Sequence, residues 1–439
     1  MRNWILILIS LFLFQGNSFA QHADDAFWKL FETGKAAFES KDYDTCTSCY
    51  EKAAEYRSDY AWLKYAAARC YDLQKENKKA HQILIKAIQT DWEDVEDLLA
   101  ENEGDFKNLK NKKRCWKKVK KEIKTQQKGL NLTLREEIIQ MGKDDQKYRT
   151  EIQEFSNKGD FDSPEVKELW KKQSMVDSAN LKLSEEVIAK YGYPSKIVGR
   201  KVAKSIFLII QHSDLKYQEK YFSLFQKAVN KKRGLDKKTL ALMIDRIEVG
   251  KGRPQIYGTQ ISENKKTGKL IFDSIVDEKK VNKRREYIGL PTIESYAQRF
   301  DFEYRKESKK YTEADFKKFT GGWDLVNIRD AETFEITFLP EQNFWVEFLT
   351  KGRLRFNLTV NTCETKYQAT DRGRLIFTPN LDCTEKCCDD KVISQTLNYH
   401  NVIEFELYDN LLFLIDTKGR LLEFKRKKYK KQRMKKADN

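Results

Sequence analysis

Residues 206–260 read IFLIIQHSDLKYQEKYFSLFQKAVNKKRGLDKKTLALMIDRIEVGKGRPQIYGTQ. Just upstream and into this stretch, Val202–Ile210 is apolar almost all round, which marks a central helix rather than a surface one. It hands over directly to Gln211-His212-Ser213-Asp214. Helical periodicity resumes over Lys216–Asn230 and again over Lys237–Val249, with Asp245 and Arg246 near its end. Gly250 and Gly252 then break the helix before Tyr257, Thr259 and Gln260. The segments Gln255–Gln260 and Lys269–Ile275 read as a short hairpin. Helices near Glu278–Glu286 and Thr292–Phe302 close the unit. The expectation is a mostly helical domain over residues 131–305, whose central helix gathers these polar words into one cleft.

Upstream, Leu134, Ile138 and Met141 form a helical stripe, followed by Asp144, Asp145, Gln146 and Arg149. The next helix opens on a Ser163 cap with Pro164 in its first turn, and Gly192 and Pro194 stop it. Within it Asp177 and Asn180 share a face.

His212 is the one histidine between His81 and His400, so it is the natural proton carrier of this domain. Asp214 or Asp177 could orient its ring, and Arg246 could hold an anionic group. That constellation suits acid–base hydrolysis or recognition of a carboxylate or sugar. No serine sits in a nucleophile elbow, and one histidine cannot make a multi-histidine zinc site. A hard cation on Asp145, Asp177 and Asp214 is a further option. A competing reading makes the same residues a buried hydrogen-bond network that fixes helix ends and the hairpin. No cofactor is named by any motif.

The words DDQKYR, VDSAN, YGYPSKIVG, IIQHSD, IDR and GRPQIYGTQ resemble a family of exported bacterial domains without assigned function. The likeness covers residues 131–300 and implies a helical fold but no activity. On it, Asp145, Gln146, Arg149, Asp177, Asn180, Gln211, His212, Asp214, Asp245, Arg246, Tyr257, Gly258, Thr259 and Gln260 match motif positions.

The chain has 439 residues, a net charge of +16 and 40% hydrophobic content, enough for several folded domains. Lys107–Lys128 holds 11 basic residues against Glu122, and Lys425–Asn439 nine against Asp438. Such runs are solvated faces and tails, or they meet an anionic envelope component. Residues 1–20 read as a secretory signal peptide: Arg2, an apolar run Trp4–Phe14, then the cleavage site Ser18-Phe19-Ala20. The mature protein is then periplasmic or extracellular, which argues against nucleic acid as a partner. No later stretch is apolar for long enough to span a membrane.

Residues 21–130 carry an internal repeat. Gly34, Cys46, Tyr50 and Ala53 occupy places that Ala68, Ala80, Leu84 and Ala87 occupy 34 residues later. The words AAFESKDYDTCTSCYEKA and AARCYDLQKENKKAHQILIKA resemble tetratricopeptide repeats over residues 24–92, with one helix from Trp92 to Lys128 as a cap. The resemblance implies a groove for a peptide or protein partner, while a structural stalk is the alternative.

From Tyr311 the periodicity alternates, with strands expected at 334–339, 343–349, 353–360, 374–378, 402–408, 411–416 and 420–425. A helix is expected near Asp389–Tyr399. Residues 311–428 thus form a small antiparallel β domain, followed by a basic tail at 429–439. The words GGWDLV, VNTCETKYQATDRGRLIFTP and LLFLIDTKGRLLEFKR resemble the META/heat-shock-protein-like domain over residues 316–428, and Gly322-Trp323 suggests a lipocalin-like barrel as the alternative.

Eight cysteines fall into two clusters: Cys46, Cys49, Cys70 and Cys115 early; Cys363, Cys383, Cys387 and Cys388 late. In an exported chain these are disulfide candidates, Cys46 or Cys49 with Cys70, and Cys363 with one of the late three. Buried thiols are the other reading of the early set, and zinc with His400 that of the late set.

The functional expectation is an exported envelope protein acting in protein–protein or ligand interaction. The alternative is a hydrolase using His212 and Asp214 as its acid/base pair, with Arg246 on an anionic substrate group.

Overall fold

The computed structural model describes residues 23–157, 159–160, 162–264, 267–300, 302–304, 310–340, 344–358, 361–378, 382–384 and 402–427. The expected leader, the helix near 389–399, Cys387, Cys388, His400 and the tail 429–439 lie outside them. The fold is multidomain α + β, in two compact units, one ending at Asp236 and one beginning at Lys237. That division falls inside the stretch 131–305. No helix among the described residues is long and apolar enough to cross a membrane.

In the first unit, α1 (Ala23–Glu39), α2 (Tyr43–Tyr56), α3 (Ala61–Leu73) and α4 (Asn77–Thr90) pack as successive helical hairpins. The repeat is visible in the packing. A Cβ at Gly34 would lie 3.2 Å from the Tyr50 ring, so the first pair packs closely over a glycine. Ala68, Ala80, Leu84 and Ala87 are buried in the second pair. Asp42 caps α2 by accepting from the Thr45 N–H. A disulfide joins Cys46 to Cys70, linking α2 to α3, while Cys49 and Cys115 are free thiols.

The single cap helix expected over 92–128 is three helices: α5 (Trp92–Glu101), α6 (Lys107–Asn111) and α7 (Lys113–Gln126). Phe106 makes the break with a left-handed backbone, φ 58°. Its ring is buried against Tyr65 and Trp116, and the Asp72 carboxylate accepts from the Asn108 and Leu109 N–H groups just after it. Periodicity carries no trace of such a carboxylate reaching in from another helix.

Next come α8 (Leu132–Asn157), α9 (Pro164–Tyr191), α10 (Ser195–Val198), α11 (Arg200–His212) and α12 (Leu215–Asn230). Ser163 caps α9 through the Val166 N–H, Pro164 sits in its first turn, and Gly192 ends it. The apolar helix α11 is central: Val202, Ala203, Ile206, Phe207, Ile209 and Ile210 are buried, and α8, α9, α10 and α12 pack against it.

The first turn of α11 has no side-chain cap of its own. Glu93 of α5 supplies one, accepting from the N–H groups of Arg200 at 2.7 Å and Lys201 at 3.1 Å. Arg135 of α8 donates to the same carboxylate at 3.0 Å. A Cβ on Gly199 would stand 2.3 Å from a Glu93 oxygen, so the carboxylate reaches the helix end only past a glycine. This one acid ties the repeat helices to the helices that follow.

The second unit opens with α13 (Lys237–Gly250), β1 (Ile261–Glu263), β2 (Leu270–Phe272), α14 (Val281–Tyr287) and α15 (Ile293–Gln298). The expected hairpin is displaced: β1 pairs with β2 from Ile261 onward, and Gln255–Gln260 is an irregular turn. Then come α16 (Glu313–Phe319), β3 (Gly321–Asp330), β4 (Ile336–Phe338), β5 (Trp345–Leu349), β6 (Arg353–Leu358), β7 (Asn361–Ala369), β8 (Leu375–Phe377), β9 (Asp382–Cys383), β10 (Val402–Tyr408), β11 (Leu411–Asp416) and β12 (Arg420–Arg426).

The strand path runs β10-β11-β12-β3-β5-β6-β7-β8, antiparallel at every step. Its two ends meet: Arg374 bridges Glu404, and the Phe405 N–H donates to the Gly373 carbonyl at 2.7 Å. This single bridge joins the two ends of the path, so the sheet curls round into a small barrel. Trp323, Phe348, Phe356, Phe405, Phe424, Leu412 and Leu414 fill the interior, and Phe319 of α16 joins them. Cys363 and Cys383 are cross-strand neighbours of β7 and β9 and form a disulfide.

The expected strands omit three that the structure contains: β3, β7 and the two-residue β9. In β3 the pairing register slips between Glu423 and Phe424, so Asn327 is buried while Val326 is exposed, and alternation is lost. In β7 a buried Thr365 stands where an apolar residue would give the signal. By contrast β11 is buried along its whole length. Leu412 and Leu414 face the barrel interior, while Leu411, Phe413 and Ile415 pack with Ile256, Tyr257, Ile288 and Leu290.

Glu93→Ala should lower stability by about 2–3 kcal/mol, the cost of stranding two helix-end N–H groups and leaving the buried Arg135 with Glu96 and the Val198 carbonyl as its remaining partners. Urea unfolding followed by circular dichroism measures it. A loss below about 1 kcal/mol would remove Glu93 from this role.

Candidate functional site

The sequence-read polar residues fall into two networks. Asp145, Arg149, Asp177, Asn180, Gln211, His212 and Asp214 belong to the first unit, and Asp245, Arg246, Tyr257, Thr259 and Gln260 to the second.

In the first unit, three packed helices bring the groups together. Asp145, Gln146 and Arg149 come from α8, Gln173 and Asp177 from α9, and His212 from the C-terminal end of α11. Asp145 and Arg149 are four apart, as are Gln173 and Asp177, so each pair shares a helix face. The Asp145 carboxylate contacts the His212 Nδ1 at 3.0 and 3.1 Å and accepts from Gln146 Nε2 at 2.6 Å. Arg149 Nη2 lies 3.5 Å from Asp145 and donates to Asp177, which also accepts from Gln173 Nε2 at 2.7 Å. The result is a chain: imidazole, carboxylate, guanidinium, carboxylate. The His212, Asp145 and Arg149 side chains are nearly sealed, while that of Asp177, at the other end, is 28% exposed.

The environments push the two carboxylates apart. Burial raises both. At Asp145 the neighbouring His212 and Arg149 outweigh burial and hold the carboxyl below its ordinary value. At Asp177 burial prevails over the attraction of Arg149, and the pKa is raised.

The sequence offers Asp214 or Asp177 as the orienting partner of His212; the carboxylate at its Nδ1 is Asp145. Helix packing explains the difference, because α11 lies along α8 whereas Asp214 sits exposed at the start of α12. Asp145 and Asp177 are bridged by Arg149, so a guanidinium takes the place the hard cation would need. Among the described residues no group of three or more His, Cys, Asp or Glu could hold a metal ion. Asn180 donates to the Met141 carbonyl at 3.0 Å, tying α9 to α8. Gln211 is buried, and its carbonyl accepts from Gln218 Nε2.

The second network has a different character. Asp245 of α13 is fully buried, and its oxygens accept from the N–H groups of Ile256, Tyr257 and Thr259 and from the Thr259 hydroxyl, all at 2.7–3.0 Å in their shortest contacts. Burial raises its pKa against the pull of those donors. The carbonyls of the same turn face two buried arginines of α14. Arg284 donates to Ile256, Val276, Asp277 and Ala331; Arg285 donates to Tyr257, Gly258 and Pro291. Gly258 has φ +65°, and a Cβ there would lie 2.6 Å from Ile293. Gln260 exchanges bonds with Gln255, and its Oε1 accepts from Arg246 Nε at 3.3 Å. In this unit Asp245, Thr259 and Gln260 thus organise a turn. Arg284 and Arg285 were not singled out from the sequence; the one signal is an adjacent pair of cations inside a short helix with buried Val281 before it.

Asp245→Asn puts an amide where every neighbour is a donor, so a loss of at least about 3 kcal/mol is expected from stranded N–H groups, read by thermal unfolding. Asp145→Asn tests the other network through pH. A depressed folded pKa stabilises above the unfolded value and is lost as pH falls through the folded one. The stability gap between wild type and Asp145→Asn should hold at neutral pH and shrink below about pH 3.8, the ordinary value. A gap that widens in acid would contradict the assignment.

Residues 132–309 match a family of unknown function, DUF6624. The match spans parts of both units. No curated protein matches the chain. Among solved structures, one is an NMR structure of a protein from Burkholderia xenovorans, 15% identical, covering 29% of this chain and 97% of that one with a TM-score of 0.24. Another is a DUF4847 family protein from Bacteroides vulgatus, 16% identical, covering 25% of this chain and 95% of that one with a TM-score of 0.21.

Proposed function

We propose that the chain is an exported envelope protein that acts by binding. The N-terminal hairpins are tetratricopeptide-like and receive a peptide or protein partner, and the barrel is a META-like or lipocalin-like module. The observation that carries this reading is the packing of the 34-residue repeat, from Gly34 against Tyr50 to buried Ala68, Ala80, Leu84 and Ala87. A stack of like helical pairs offers an extended surface whose outer residues vary freely over a constant core. Two disulfides, Cys46–Cys70 and Cys363–Cys383, fit a periplasmic or extracellular location. In this reading the His212 chain is a polar recognition site.

A second reading is favoured by one observation, the opposite shifts of Asp145 and Asp177 across Arg149. Carboxylates driven apart in this way mark acid and base roles in many active sites. The hydrolase would use His212, held by Asp145, as base and Asp177, the member nearest solvent, as proton donor. This replaces Asp214 in the pairing read from the sequence.

Quantitative capture from envelope extract with the full mature protein separates the two. Binding predicts one saturable partner, chemically unaltered in both cases and held more weakly by His212→Ala than by wild type. Turnover predicts a partner kept by His212→Ala and released altered by wild type. No saturable partner for either would defeat both readings.

A further inference from the structure

The first unit contains a groove that neither reading uses. It is an open cleft of about 740 Å³ between α4 and the junction of α6 with α7. Lys78, His81, Lys112, Lys113, Arg114 and Lys118 line it, and no carboxylate does. Among the described residues none of the five Lys and Arg side chains makes an ion pair or a side-chain hydrogen bond. Five cations held around one cleft repel each other, an arrangement that an incoming anion relieves.

Two further features point the same way. The first turns of α4 and α7 both border the groove, and neither helix has a side-chain N-cap: Glu76 and Lys112 stand at those positions without a capping bond. Helix starts without a side-chain cap, with their positive dipole end, are suited to an anion. In addition, His81 Nε2 is buried without a partner in the same wall.

From this geometry we infer that the groove is a binding site for a phosphorylated ligand, whose phosphate sits between the two helix starts against Arg114, Lys118 and His81. A groove of this volume holds a group larger than one phosphate ion. The lysines suit it as point charges, and Arg114 can bond two phosphate oxygens at once. The phosphate can belong to a soluble phosphate ester or to a lipid headgroup; both share this chemistry. The inference is independent of the partner proposed for the helical repeats.

Burial, and then Lys118, lower the His81 pKa. A bound phosphate must reverse that. Full-length mature protein is titrated with inorganic pyrophosphate by calorimetry, and in parallel with vesicles of phosphatidylcholine alone or with added phosphatidic acid. The His81 ring titration is followed by NMR with and without pyrophosphate. The double variant Arg114→Gln/Lys118→Gln removes two groove charges. Lys120→Gln/Lys124→Gln removes two exposed charges of the same helix outside the groove.

The groove variant should bind pyrophosphate at least tenfold more weakly, the control less than twofold, and the His81 midpoint should rise on binding. Binding to phosphatidic acid vesicles that follows the same variant order assigns the phosphate to a lipid. Pyrophosphate binding without vesicle binding assigns it to a soluble ester. Equal weakening by both variants, an unmoved His81 midpoint, or no saturable binding of either probe overturns the site.

Discussion

A backbone N–H or C=O removed from water must find a partner, and in this protein buried charges supply partners where helices and strands do not. The turn at residues 252–260 shows it most fully. It has little regular structure, so its N–H groups converge on Asp245 and its carbonyls on Arg284 and Arg285. Isolated charges at such depth would be costly; each is offset by several hydrogen bonds to backbone dipoles. Glu93 and Asp72 do the same at the starts of α11 and α6. In each case a side chain of one segment finishes the backbone of another, which couples segments that sequence alone leaves separate.

That economy explains why polar words are so dense between residues 145 and 260 without all being functional. Tyr257, Gly258, Thr259 and Gln260 each answer a geometric demand of the turn. The His212 chain is different, since its members bond mostly to one another rather than to backbone. A set of side chains whose partners are other side chains, with one carboxylate reaching solvent, retains chemistry that a capping residue has used up.

Local chemistry made much of the fold legible. The Ser163 cap, Pro164 and Gly192 delimit α9 because each acts within a turn of its own position. The apolar run at Val202–Ile210 marks the central helix, and the small-residue period marks the hairpins. What escaped was non-local. The bulge in β3 destroys its alternation, Phe106 breaks the cap helix through a contact with distant rings, and the pairing of Asp145 with His212 depends on which helix lies beside which. The disulfides show the same limit: spacing allowed Cys46 or Cys49 to meet Cys70, and only the helix rotation chose Cys46.

The strand β11 carries a consequence for how the second unit exists at all. Both of its faces are covered, one by the barrel interior and the other by residues from the stretch 237–290. A chain beginning at residue 310 would retain every rung of the strand ladder yet turn Leu411, Phe413 and Ile415 toward water as a greasy seam. The barrel is therefore not an excisable cassette, and its outer wall comes from sequence that lies before its first strand.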